Sequence, residues 1–225
     1  AGIIGDPVCM SSKHLPEPEA APAPYWGEAR EALCACDPVM SGLVAAAGEA
    51  TLRPRRDAFF SLARSIVGQQ VSVASAEAVW QRLMAELGAA KPEAVVKRNA
   101  DDLRARGVSR QKSGYLISLA EHFLDGALDV EAWPGLDDEA VIEQLVQGKV
   151  IGRWTAEMFL IFHLLRPDVL PLADIGVQRA FSNHYTDGQR PSAERMLALA
   201  EPWRPWRSVA VWYLWRSLDA VPVDY

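Results

Sequence analysis

The chain has 225 residues, half of them apolar, and 29 acidic against 23 basic side chains give it a formal charge of −6. That apolar share supports a sizeable core in one large or two small domains and excludes a disordered polyelectrolyte. Its cysteines, Cys9, Cys34 and Cys36, lie within the first 36 residues and offer no disulfide framework. No apolar run reaches the roughly eighteen residues that cross a bilayer, and no signal-peptide pattern opens the chain. A cytoplasmic protein with no membrane partner is expected.

Residues 1–26 are rich in proline and alanine and read as a flexible tail. The opening AGIIGDPVC lacks a methionine, and Met10 stands nearer a native start. From Ala29 to Ala47 an apolar pattern broken by Asp37-Pro38 predicts two short helices. Asp57 opens a strongly amphipathic helix with Phe59, Leu62, Ala63, Ile66 and Val67 on one face, and Gly68-Gln69-Gln70 ends it. Val71 to Leu87 repeats the pattern, with Ser72 or Ser75 as a cap. Pro92 and Asp101 start two short helices. Ser109 to Phe123 turns Tyr115, Leu116, Leu119 and Phe123 inward, and Asp137 to Val146 follows.

The stretch from Gly148 to Arg179 reads as a glycine turn, a helix, a proline-bounded loop and an acid at the mouth of the next helix. Gly152 supplies backbone angles closed to other residues. Trp154, Met158, Ile161, Phe162 and Leu165 have helical spacing, and Arg166-Pro167 stops the run. Asp174 stands where an N-cap belongs, just before Ile175, Val177 and Phe181; as residue chemistry alone, a plain cap explains it. Helices are predicted over 175–185, 192–200 and 205–218. No segment alternates like a strand and no repeat period emerges. The fold class is all-α, with two helical lobes sharing a cleft: residues 66–174 as the central lobe, and 27–65 with 175–225 as the other.

Gly152-Arg153-Trp154-Thr155-Ala156, followed twenty positions after Trp154 by Asp174, resembles the helix-hairpin-helix, Gly/Pro-rich loop and aspartate of the HhH-GPD DNA glycosylases. Within that superfamily the chain is most similar to the 3-methyladenine DNA glycosylase II (AlkA-type) branch, from about Arg53 to the C-terminus. Longer members of the branch carry an N-terminal sheet domain, expected to be absent here. Some relatives hold an iron-sulfur cluster on four C-terminal cysteines, which a chain without cysteine after Cys36 excludes.

The resemblance implies a monofunctional glycosylase of base excision repair that flips alkylated bases, 3-methyladenine first, out of duplex DNA and hydrolyses their N-glycosidic bond. Asp174 is implied as the catalytic acid, its charge set against the cation that develops on the sugar, with Asp168 as the fallback carboxylate. Trp154 stands where lyase-competent relatives carry a Schiff-base lysine, and Lys149 is a poor substitute for it. Trp215, in register with Pro205-Trp206-Arg207-Ser208, matches the tryptophan that stacks on the flipped base. Trp154 and Trp215 are then the walls of the base site, with Met158 beside them, although core packing is the ordinary use of such residues. Gln70 matches the side chain inserted into the gap left by the extruded nucleotide, or else is a simple loop amide.

Gly148, Val150, Gly152 and Thr155 are expected to grip the DNA backbone through the hairpin. Carbonyls of Gly148 and Ile151 would hold a structural sodium or potassium ion, and no other cofactor is required. Val150 departs from the glycine usual in the family, which puts the turn's shape in question. Residues 53–112 hold twelve basic against six acidic side chains. Within them Arg64, Arg110 and Lys112 are the phosphate candidates, a solvated helical surface being the plain alternative. Two further readings keep the fold: a glycosylase directed at 1-methyladenine or 3-methylcytosine, and a non-catalytic protein that binds damaged or unusual DNA structures. The family's usual state implies a monomer.

Overall fold

A computed structural model describes residues 21–54, 57–69, 71, 73–147 and 151–218, and among these described residues proline, glycine and capping side chains mark out twelve α-helices. No strand occurs among the described residues, and the fold is all-α in two helical lobes. In chain order the helices are α1 (Trp26–Cys36), α2 (Pro38–Ala47), α3 (Ala58–Gly68), α4 (Val73–Leu87), α5 (Pro92–Val95) and α6 (Ala100–Arg104). They continue with α7 (Arg110–Leu124), α8 (Asp138–Gln147), α9 (Arg153–Phe162), α10 (Ile175–Tyr185), α11 (Ala193–Ala200) and α12 (Arg207–Arg216). Short 3-10 turns precede α8 and α12.

Several starts have a local cause. Asp57 accepts from the Phe60 amide, Ser109 from that of Lys112, and Ser192 from that of Arg195, each offering an oxygen to an otherwise orphaned N–H. The expected start of α6 at Asp101 is corrected to Ala100, because Asn99 forms a capping box with Asp102. Ser75 lies inside α4, two residues past its start at Val73; Ser72 is outside the described residues.

The helices sort by what they touch. In one group α3 packs on α4, α7 and α9, with α5 and α6 on α7 and α8 on α9. In the other, α1, α2 and α10 gather on α12. α9 is enclosed on every side, since each residue from Thr155 to Phe162 is buried. It also stops earlier than its apolar pattern suggests. Leu165 leaves the helix with φ +52, which lets the Arg166 amide reach back to the Leu160 carbonyl at 2.8 Å. That unfavourable angle is held by the Tyr25 hydroxyl, which donates to the Leu165 carbonyl at 2.6 Å.

Burial pushes the Tyr25 phenol up to about 12. An unfolded chain ionises its tyrosines near pH 10, roughly the free value, so the proton held by folded Tyr25 stabilises the fold fully below that pH. That contribution is lost between about 10 and 12. Thermal melts are expected to fall in midpoint as pH rises from 9 to 11.5, and Tyr25→Phe should flatten part of that fall.

Candidate active site

Asp174 is built into the first turn of α10. Its backbone is extended (φ −70, ψ 121), and Oδ1 accepts the Val177 amide at 2.7 Å, as an N-cap should. A cap needs only one oxygen. Here Oδ1 also accepts the indole N–H of Trp215 at 2.9 Å, and Oδ2 accepts that of Trp154 at 2.7 Å. Asp174 is only 9% exposed, so three N–H donors hold a nearly dry carboxylate between two indoles delivered by α9 and α12. The cap explains one of the three bonds and leaves the indole pair unexplained.

The walls differ in openness. Trp154 is half-buried, whereas Trp215 is buried and lies flat on Phe162, ring centroids 5.6 Å apart and planes 18° from parallel. One face of Trp215 is therefore already covered. Met158, one turn beyond Trp154, is buried in α9. Because both indole N–H groups point at the carboxylate, neither ring has a donor left to offer elsewhere, and what each can present is a π face.

Asp168 has a different task. Arg207 donates to Oδ1 at 2.6 Å and to Oδ2 at 3.0 Å, and Arg204 reaches Oδ2 at 2.7 Å. A carboxylate gripped by two guanidinium groups is a brace between the proline loop and the start of α12, and it is withdrawn as a fallback acid.

At the entry to α9, Gly152 takes φ −80 and ψ 161, angles open to any residue, which corrects the expectation of a special glycine conformation. Its value lies elsewhere: it contributes no side-chain cap, and the first helical bond runs from the Ala156 amide to the Gly152 carbonyl at 3.1 Å. The amides of Arg153, Trp154 and Thr155 precede that bond, at the positive end of the helix dipole. The Thr155 hydroxyl turns inward and accepts from Gln69 Nε2 at 2.8 Å, and Ile151 is buried. Gly148, Lys149, Val150 and Gln70 lie outside the described residues.

The basic middle segment is partly neutralised from within. Arg64 pairs with Glu77 and lies over the Trp80 ring, Arg98 and Arg106 share Glu86, and Arg104 pairs with Asp101, while Arg110 is exposed. Lys112 is turned to the end of α3, where Nζ donates to the carbonyls of Val67 at 2.8 Å and Gln69 at 2.6 Å. Burial pulls its ammonium below the usual lysine range. Lys112→Met is accordingly expected to leave the salt slope of DNA binding unchanged and to cost about 1–2 kcal/mol of stability. Arg110→Ala, by removing an exposed charge, is expected to reduce the slope by about 0.9. Binding titrations from 50 to 200 mM salt check both.

Sequence reasoning missed Phe162 as the backing of Trp215 and Gly176 as the residue beside it. It also missed Glu157, a buried carboxylate one turn past Arg153. Burial raises the pKa of Glu157, and the nearby guanidinium of Arg153 partly offsets that rise.

Asp174, Trp154 and Trp215, which the sequence motifs singled out one by one, thus come together as a carboxylate held by two indole N–H groups, a contact that the sequence reading did not anticipate. The family model for HhH-GPD superfamily base excision DNA repair proteins matches residues 63–205. The chain belongs to that family. Among HhH-GPD relatives it is 32% identical over 167 residues to DNA-3-methyladenine glycosylase 1 of Schizosaccharomyces pombe, covering 72% of this chain and 73% of that one. A Bacillus subtilis relative is 32% identical over 164 residues, and the chain spans 57% of its length.

Two solved HhH-GPD structures are similar. The 3-methyladenine DNA glycosylase of S. pombe in complex with abasic DNA superposes with a TM-score of 0.77 at 32% identity, over 86% of this chain and 98% of that one. The DNA-3-methyladenine glycosidase of Bacillus halodurans does so with a TM-score of 0.73 at 35% identity, over 85% and 89%.

Proposed function

We propose that the protein is a monofunctional DNA glycosylase that flips alkylated purines, 3-methyladenine first among them, out of duplex DNA and hydrolyses their N-glycosidic bond. The observation that carries this reading is the Asp174 carboxylate fixed between the N–H edges of Trp154 and Trp215. An alkylated purine is a cationic leaving group, so the bond to C1′ breaks with little help from a general acid. Positive charge then develops on the deoxyribose. A carboxylate already oriented by three N–H bonds meets that charge without reorganising, in a site nearly free of water.

The indoles orient the acid with their edges and offer the cationic base their faces, which favours damaged over normal purines without base-edge hydrogen bonds. No amine stands at position 154, so the sugar is released to water and the backbone stays intact. The amides of Arg153, Trp154 and Thr155 supply sequence-independent grip on phosphate, and carbonyls of Gly148 and Ile151 would hold a sodium or potassium ion that adds positive charge there. The protein is expected to work as a monomer.

Incubation with methylated duplex DNA, followed by chromatography of the released bases, tests the reading. The expected products are free 3-methyladenine and alkali-labile abasic sites, with no borohydride-trapped adduct. Binding to such DNA without release would leave the non-catalytic alternative instead.

A further inference from the structure

Gly176, the second residue of α10, sits against both partners of the site. A Cβ placed on it falls 3.0 Å from Asp174 Oδ1, and 3.1 Å and 3.2 Å from Cδ1 and Nε1 of Trp215. The same atom on Gly114, inside α7, meets nothing within 4 Å. Gly176 lies in helical backbone that alanine adopts readily, and helix propensity favours alanine at such a place. Backbone freedom therefore does not explain the glycine, whereas the missing methyl does.

We propose that Gly176 is a positioning residue: the volume it leaves empty lets the Asp174 carboxylate and the Trp215 indole edge close on each other. This rests on the catalytic role assigned above to Asp174. Neither neighbour yields freely to a methyl. Asp174 is anchored at 2.7 Å to both Val177 and Trp154, and Trp215 is stacked on Phe162. A displacement of a few tenths of an ångström would fall on the 2.9 Å bond between Trp215 Nε1 and Asp174 Oδ1 and on the tilt of the indole face. The position is therefore under a tighter constraint than its place in a helix imposes.

The test is Gly176→Ala, read four ways. Single-turnover release of 3-methyladenine from methylated duplex is expected to fall ten- to a hundredfold, with affinity for abasic-site DNA within threefold of the parent. The melting temperature is expected to fall by no more than a few degrees, because the helix propensity of alanine offsets part of the strain. The indole N–H signal of Trp215, identified by its loss in Trp215→Phe, is expected to move in the proton–nitrogen spectrum.

Release within twofold of the parent, or an unmoved Trp215 signal, overturns the assignment. If the parent protein releases no base, the glycosylase reading fails, and the Trp215 signal still decides whether Gly176 spaces the pair. Should Gly176→Ala not fold, the Trp215→Ala background gives the methyl room. Recovery of a cooperative melt there supports the spacing role, and no recovery overturns it.

Discussion

Asp174→Asn is expected to lower base release by about a thousandfold or more, while binding to abasic-site DNA stays within a few fold. The substitution keeps one acceptor oxygen, which can still take the Val177 amide and the Trp215 indole, so the start of α10 survives. It puts an NH2 group opposite the Trp154 N–H, two donors face to face, at a cost of about 1–3 kcal/mol. What disappears is the charge. At about 4 Å in an effective dielectric of about 20, a carboxylate and a developing cation attract by roughly 4 kcal/mol, which is about three decades in rate. Single-turnover kinetics on methylated duplex, together with a melting curve, separate the two effects. Unimpaired release would remove Asp174 from the mechanism.

The largest effect on stability is expected at a carboxylate far from the chemistry. Asp37 caps α2 through Oδ1, which accepts the amides of Val39 at 2.8 Å and Met40 at 3.2 Å. Its Oδ2 accepts the Tyr185 hydroxyl at 2.9 Å and the Trp203 indole N–H at 2.8 Å. One buried side chain thus ties the start of α2 to the end of α10 and to the turn before α12. Asp37→Ala removes a cap worth about 1 kcal/mol and strands two buried donors at about 1–3 kcal/mol each, for a total of about 3–7 kcal/mol. For a chain of this size that corresponds to a drop in melting temperature on the order of 10 °C. Base release per folded molecule should be little changed at low temperature. Urea unfolding with a constant m-value checks the stability loss.

The cap residues, the proline stops and the apolar periodicity of α3, α7 and α10 were legible in the sequence, because those signals act within a few residues of one another. Asp174, Trp154 and Trp215 were singled out by motif, yet the bonds joining them span 20 and 41 positions and follow from no local rule. The failures share one cause. Lys112 reads as a surface cation until α7 packs on α3 and turns it to the carbonyls there, and Asp168 reads as a free acid until α12 brings two arginines. Asp37 read only as a helix boundary, since its aromatic donors are 148 and 166 residues away. Gly176 carried no signal, because a missing methyl matters only through what surrounds it.

The indole at position 154 steers the acid by a neutral N–H, and this limits what the scaffold can become. Exchanging it for an amine, the simplest route to strand-cutting chemistry, removes a guide from the aspartate and sets a positive charge beside it, which would compete with the sugar for the same negative charge. Under the proposed mechanism, an amine at position 154 alone would leave Asp174 Oδ2 without its guide, while Oδ1 keeps Val177 and Trp215.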